Sequence, residues 1–377
     1  MHILIAPDSF KEALAAGDVA DAIAAGCTRA RPDATVDTCP VADGGEGTVA
    51  ALVSATAGTL KHLDVTGPLG TPVKATWGLL GDGHTAAIEL ASASGLPLVP
   101  RAQRNPMHTT TAGTGELIAA ALDAGVRRII LGIGGSATND GGAGAAQALG
   151  VRFLDDNDEP LAAPITAADL PRVARIDMSQ RHPRLAEVEL LVACDVTNPL
   201  LGPDGAAAVY APQKGATPEQ IPQLDAALAH LADVIQRDLG RDVRDTPGAG
   251  AAGGMGAGAL ALLDGELRSG IDIVLEAVRF NDRLARADMC ITGEGKLDGQ
   301  SLSGKAIAGV TRAAAGRGVP TVALVGAVGD NPEALTALGL RAWHVIGPDL
   351  PAEESIRRTA ELLEAAAERV MAAHDRS

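Results

Sequence analysis

Four acidic side chains stand just past apolar runs. Asp8 follows Ile3-Leu4-Ile5-Ala6, Asp43 follows Cys39-Pro40-Val41-Ala42, Asp195 follows Leu190-Leu191-Val192-Ala193-Cys194, and Glu294 follows Cys290-Ile291-Thr292-Gly293. Each sits among glycines or small polar residues. Asp8-Ser9-Phe10-Lys11 offers a carboxylate, a hydroxyl and an ammonium within one turn. In Asp43-Gly44-Gly45-Glu46-Gly47 two acids flank glycines, an arrangement fit for a metal or a ligand hydroxyl. Asp195, with Asn198 three residues on, suits Mg²⁺ or the orientation of a hydroxyl, since Mg²⁺ takes one or two carboxylates plus waters and phosphates. Gly293-Glu294-Gly295-Lys296-Leu297-Asp298-Gly299 adds two acids and a lysine.

The longest such stretch runs from Ile129 to Gly142. A buried strand enters a glycine-dense turn that carries Ser136, Thr138, Asn139 and Asp140 and opens into an Ala-rich helix. Glycine lets a backbone approach a ligand closely, and a helix N-terminus suits an anion. A second glycine-dense run, Pro247 to Gly258, reads as another loop before a helix from Ala259 to Leu263. There is no GxSxG elbow, no HExxH and no reactive Cys–His set. Glycine loops, single acids and a few lysines are the inventory of phosphoryl transfer, where positioning and charge neutralisation carry most of the catalysis.

Two familiar patterns need weighing. Gly299-x-x-x-x-Gly304-Lys305 resembles a P-loop, but Ala306 stands where Ser or Thr must reach Mg²⁺. A Walker-type assignment therefore fails, although Lys305, near a helix start, stays a phosphate contact. Gly132-x-Gly134-x-x-Ala137, with Asp155 after the next strand, fits a dinucleotide fingerprint and makes an NAD-dependent dehydrogenase the rival enzyme. Against it, Thr138 to Gly142 intervene before the helix. A non-catalytic protein that closes on a small anion is the rival outside enzymes.

Strands and helices must position these groups. His2–Ala6, Thr35–Cys39, Asp288–Thr292, Thr321–Val325 and Trp343–Ile346 read as five buried strands alternating with helices across the two chain ends. Asp18 is expected to cap the first helix, and one helix is expected from Pro351 to Ala373. From Leu60 to Leu90, glycine and proline turns break short strands into antiparallel hairpins. The predicted fold is α/β in two domains. A doubly wound, flavodoxin-like parallel sheet is built from residues 1–60 and 286–377, and residues 61–285 form an inserted mixed α/β domain. Ligands of such sheets bind beyond the carboxyl ends of the strands, which places the active site in the cleft between the domains.

The 377 residues suffice for two cores, which must be packed from Ala, Val, Leu and Ile because aromatic residues make up only 2%. A formal net charge of −16 argues against a nucleic-acid partner. The cysteines Cys27, Cys39, Cys194 and Cys290 form no CxxC pair. No signal peptide and no apolar run of membrane-spanning length is evident, so a cytoplasmic protein without membrane contact is expected.

Five ordered blocks resemble a known family. Ile5-Ala6-Pro7-Asp8-Ser9-Phe10-Lys11, Val41 to Gly47, Gly134 to Gly142, Cys194-Asp195-Val196-x-Asn198-Pro199-Leu200 and Ile291-Thr292-Gly293-Glu294-Gly295 look like the signature blocks of the bacterial type-1 glycerate kinases. One departure is Lys11-Glu12-Ala13-Leu14-Ala15, where members often carry a serine near Ala13 or Ala15. The resemblance implies ATP-dependent phosphorylation of D-glycerate with Mg²⁺, favouring 2-phosphoglycerate over 3-phosphoglycerate, with D-glycerate and ATP as the small-molecule partners. On that basis Asp195, Lys11 and Asp8 are expected to be catalytic. Ser9, Asp43, Glu46, Asn139, Asp140 and Asn198 are expected to bind substrate. Gly134, Gly135, Ser136, Gly254 and Lys305 are expected to hold the nucleotide, and Glu294 and Asp298 the metal.

Overall fold

The computed structural model describes residues 1–297, 306–329 and 334–374. The chain begins with β1 (His2–Pro7) and β2 (Thr35–Thr38). It continues through β3 (Thr59–Thr66), β4 (Pro72–Leu79), β5 (Thr85–Glu89), β6 (Arg128–Gly132), β7 (Arg152–Leu154), β8 (Arg175–Asp177), β9 (Glu189–Ala193) and β10 (Glu266–Arg268). It then returns to β11 (Met289–Leu297), β12 (Thr321–Val328) and β13 (Leu340–Val345). Two compact units result: residues 1–43, 50–58 and 269–377, and residues 44–49 and 59–268.

The first unit is a five-stranded sheet in the order β13-β12-β11-β1-β2, with every neighbouring pair parallel. Ile3, Leu4, Ile5 and Ala6 of β1 are fully buried, as expected of a parallel strand covered on both faces. Side-chain alternation assigns the faces. Ile3, Ile5, Ile291, Val322 and Leu324 share a core with Val19, Ile23, Leu363 and Met371 of the helices Ala16–Ala30 and Thr359–His374. Ala323 and Val325 point the other way, onto Ile307 and Ala308 of the helix Ala306–Ala315. Helices thus cover both faces, which is the doubly wound arrangement expected. At Gly26 a Cβ would lie 2.1 Å from the Glu364 carbonyl, so only glycine lets the first and last helices cross this closely.

The second unit holds a six-stranded sheet in the order β10-β9-β6-β5-β4-β3. Strands β5, β6, β9 and β10 run parallel, and β3 to β5 form the antiparallel meander signalled by their turns. Its core is mostly aliphatic: Leu117, Ile118, Leu131, Leu190, Leu228, Leu231 and Ile235 meet Phe153 and Trp77.

Several elements differ from the sequence expectations. The first helix starts at Ala16, two residues before Asp18, which lies in its first turn without a capping hydrogen bond. The closing helix is two, Ala352–Arg357 and Thr359–His374. Residues Gly293 to Leu297 continue β11 instead of forming a loop, because Glu294 pairs with Val325 and Lys296 with Ala327. The glycine run after Pro247 is the start of a helix, Ala251–Leu262, kinked by left-handed backbone at Ala252, Gly253 and Gly254. Residues 269–285, expected in the inserted domain, belong to the first unit, where Ile271 fills the space a Cβ on Gly309 would occupy.

Candidate active site

In the first unit the polar groups gather where β1 ends beside β11, which runs on to Leu297. Pro7 pairs with Gly293, and the Asp8 amide donates to the Gly293 carbonyl over 2.9 Å. Asp8 therefore leaves the sheet beside Glu294, which is only 6% exposed. Cys39 and Val41 donate to the carbonyls of Ile5 and Pro7, so the next segment follows β1 and delivers Asp43 to the same edge. Phe10 anchors the turn after Asp8. Its ring is buried, its carbonyl accepts from the Ala13 and Leu14 amides, and it covers the side-chain-free surfaces of Gly293 and Gly326.

A cavity of about 720 Å³ opens here, lined in part by Asp8, Ser9, Lys11, Asp43, Glu294 and Lys296. Burial pushes the Asp8 carboxyl up to about 6, and the charge of Asp43 adds to the rise. The Ser9 amide, which donates to Asp8 Oδ1 over 2.6 Å, and the Lys11 ammonium oppose it. The Asp8 and Asp43 carboxylates already repel each other, although among the described residues no group of three acids, histidines or cysteines is placed to hold a metal ion. The hard oxygen donors of these carboxylates fit Mg²⁺, which accepts one or two carboxylates and completes its shell with phosphate oxygens and water.

In the second unit the carboxyl edge of the parallel strands carries the chemistry. Gly132 at the end of β6 pairs with Glu89 of β5 on one side and with Ala193 of β9 on the other. Beyond them lie the exposed glycines Gly134 and Gly135, and the exposed Asp195 two residues past Ala193. Glu89 accepts from the Val49 amide over 2.8 Å at the start of the helix Thr48–Thr56. Burial raises its pKa. This contact settles the Gly44–Val49 segment, with the exposed Glu46, beside the turn: a Cβ on Gly134 would lie 3.6 Å from the Gly45 Cα.

Behind the turn is a buried polar frame. Asp140 accepts from the Thr111 amide and hydroxyl, each at 2.8 Å, and from the Gly142 and Gly144 amides at 3.2 Å. One carboxylate thus satisfies donors at the start of two helices, Ala112–Asp123 and Ala143–Ala148, where negative charge is favoured. Burial still raises its pKa. Lys214, 2% exposed, donates to Ser136 Oγ and to the Thr138 carbonyl, both at 2.7 Å. Burial pushes its ammonium down to about 7 against the pull of Asp140. Both polar atoms of the Asn139 side chain, and the Thr138 hydroxyl, are buried without a hydrogen-bond partner in the protein. Unsatisfied buried groups are costly and uncommon, so they mark the turn as a place where a ligand or solvent completes the bonding.

The expected site residues fall into two sets. Asp8, Ser9, Lys11, Asp43 and Glu294 come together in the first unit. Glu46, Gly134, Gly135, Ser136, Asn139, Asp140, Asp195 and Asn198 lie in the second. Asn198 is engaged within its own loop, accepting from the Tyr210 hydroxyl over 2.6 Å and donating to the Asp204 carbonyl over 2.8 Å. Gly254 is buried, 3.0 Å from the Gly141 Cα when a Cβ is placed on it, so its bareness serves helix-to-loop packing. Asp298 and Lys305 lie outside the described residues.

Sequence reasoning did not single out Glu89, Thr111, Lys214 or Phe10. Lys214 stands in a stretch, Tyr210 to Gly215, that reads as a polar loop, whereas the structure forms a short helix and a 3-10 turn that bury it.

The dinucleotide reading does not survive. The strand that should follow the glycine turn in the same parallel sheet, β7, pairs instead with β8 in a separate antiparallel pair. Asp155 then sits in an exposed turn, where its Oδ1 accepts from the Asn157 and Glu159 amides.

The parallel sheet of the first unit and the mixed sheet of the second, the carboxylates at their carboxyl edges and the lack of a Walker lysine–serine pair define a phosphotransferase outside the P-loop class. Residues 3–375 match the model of the glycerate kinase family. The chain is 50% identical over 369 residues to the glycerate kinase of Halalkalibacterium halodurans, covering 98% of this chain and 97% of that one. It is 50% identical over 331 residues to the glycerate 2-kinase of Escherichia coli, covering 88% and 86%. Its fold matches that of a Salmonella typhimurium LT2 protein assigned as glycerate kinase 2, with a TM-score of 0.91, 48% identity and coverage of 100% and 98%. The chain belongs to the glycerate kinase family and is a kinase.

Proposed function

We propose that this enzyme transfers the γ-phosphoryl group of ATP to D-glycerate and releases 2-phosphoglycerate, with Mg²⁺ as the metal. The observation that carries the reading is the joint lining of one cavity by Asp8, Asp43 and Glu294 with Lys11 and Lys296. Acids for a divalent cation beside ammonium groups for phosphate oxygens are what a polyphosphate needs. Preference for the 2-hydroxyl is supported by the name of the Escherichia coli relative. The four free cysteines and the absence, among the described residues, of a helix long and apolar enough to cross a membrane support a cytoplasmic location.

In this reading Glu294 and Asp43 hold the metal, together with Asp298, whose place in the sequence suits the role. Mg²⁺, when bound, neutralises charge on the transferring phosphate. Lys11 and the Ser9 hydroxyl hold phosphoryl oxygens, and Asp8 in its ionised form balances them. Asp195 orients the attacking hydroxyl and accepts its proton. The Gly134–Ser136 turn, backed by Asn139, receives an anionic group, and Lys305 contributes a phosphate contact.

Coupled measurement of ADP release with ATP, Mg²⁺ and D-glycerate, with the product read by phosphorus NMR, tests the proposal. Turnover to 2-phosphoglycerate is expected. Formation of 3-phosphoglycerate would overturn the regiochemistry, and lack of turnover in folded protein would overturn the substrate.

A further inference from the structure

The cavity of the first unit is not lined by polar groups alone. Its wall along the β13 turn carries Val345 and Ile346 at the end of β13, Pro348 and Leu350 in the turn that follows, and Ile356 on the helix Ala352–Arg357. The wall is held in place by the backbone. The Ile346 amide donates to the Val325 carbonyl over 2.9 Å, and the Leu350 amide closes a turn on the Gly347 carbonyl. Gly347 lets this turn lie against the helices, since a Cβ there would be 3.0 Å from Leu362 and 3.2 Å from the Ser355 hydroxyl. Ile356 is 41% exposed, a large apolar side chain presented to the cavity and not to the core.

Apolar lining asks for an apolar ligand surface. D-Glycerate has none, because each of its three carbons carries oxygen. Of the two substrates proposed above, only the nucleotide has a flat apolar part, its purine base. A cavity of about 720 Å³ falls within the range that encloses a ligand of nucleotide size.

We infer that the Val345–Ile346–Pro348–Leu350–Ile356 wall is the base subsite of the nucleotide, with the polyphosphate directed toward Asp8, Asp43 and Glu294. The assignment rests on the kinase reading above and adds to it where in the chain the base is recognised. It places base recognition on the β13 turn and not on the glycine-rich turn at Gly134. The Ser355 hydroxyl, in the same lining, offers a hydrogen bond to the edge of the ring.

The test is calorimetric titration of the full chain with ADP and Mg²⁺, with inorganic triphosphate as the base-free control. The variants are Ile356→Asp and Ile356→Leu, at a position exposed enough for the fold to tolerate both. Ile356→Asp is expected to weaken ADP by about tenfold or more, the usual effect of spoiling an apolar pocket contact. Triphosphate binding should be unchanged, and Ile356→Leu should restore ADP binding. Unchanged ADP affinity in Ile356→Asp, equal weakening of ADP and triphosphate, or no ADP binding by the wild type would each overturn the assignment. ADP binding with the expected pattern, in a protein that fails to phosphorylate D-glycerate, would uphold the subsite while refuting the proposed function.

Discussion

Replacing Lys214 by Met isolates the buried frame behind the glycine turn. The wild-type amine donates to Ser136 Oγ and to the Thr138 carbonyl at 2.7 Å. Methionine fills similar space with no donor. The Ser136 hydroxyl can rotate to another partner, but the Thr138 carbonyl cannot, and a buried unsatisfied acceptor costs about 1–3 kcal/mol. A second effect opposes this one. Because burial lowers the lysine pKa from 10.5 to about 7, the folded state disfavours the cation. Between these two values the unfolded chain binds more protons than the folded one, so wild-type stability rises with pH across that window, by up to about 1.4 kcal/mol per unit. Lys214→Met lacks this slope. The variant should therefore be destabilised by about 1–3 kcal/mol near pH 10, and the deficit should shrink or reverse toward pH 7. Two units make a single unfolding transition unsafe, so a local probe is required. Trp77 on β4, 5% exposed, reports the second unit once the other tryptophan, Trp343, is replaced by Phe. Urea titrations followed by Trp77 fluorescence at pH 7, 8, 9 and 10 provide the measurement. A stability difference that stays flat across this range would refute the buried, low-pKa assignment of Lys214.

Four other outcomes follow from the geometry. Asp195→Asn should lower kcat by ~10²–10⁴-fold while leaving the circular dichroism spectrum intact, and wild-type kcat would remove Asp195 from proton transfer. Activity should fall as pH drops through about 6, where the raised Asp8 carboxyl takes up a proton, and an unshifted acid limb in Asp8→Asn would assign that limb to another group. Chelation with EDTA should abolish turnover and Mg²⁺ should restore it, whereas full activity after exhaustive chelation would contradict the carboxylate cluster's role. Gly309→Val should destabilise the first unit by about 1–3 kcal/mol through overpacking, because a Cβ at that position already lies 2.3 Å from Ile271; denaturation followed by Trp343 fluorescence checks it.

The division between what could be read from the chain and what could not follows the range of the interactions. Strand identity was local. Ile3 to Ala6 and Leu190 to Ala193 are short apolar runs bounded by turn residues, and both are buried parallel strands. Glycine and proline punctuation from Gly67 to Gly83 marked the antiparallel meander equally well. Asp8 and Asp195 were visible for the same reason, since a polar residue just past a buried strand must lie at the sheet's carboxyl edge. Boundaries set by packing were not visible. Gly293 to Leu297 has the composition of a loop, yet β12 offers a pairing edge and the segment extends as strand. The glycines from Gly253 to Gly258 looked like a ligand loop. They are bare because Thr138, Gly141 and Gly248 approach them within 2.0 to 3.0 Å of a placed Cβ, and the first two of these neighbours lie far along the chain.

The sequence by itself determined the family, the two-part α/β architecture, and the candidate acids and lysines, because each is a matter of residue type at short spacing. Only the tertiary structure decided which of them share a cavity, and that Asp140 is spent on holding two helix starts. It also decided that Lys214 is buried with a depressed pKa and that apolar residues of the β13 turn line the same cavity as the carboxylates. Burial, desolvation and the contents of a cavity depend on what the rest of the chain brings alongside a residue, and local spacing carries no record of that.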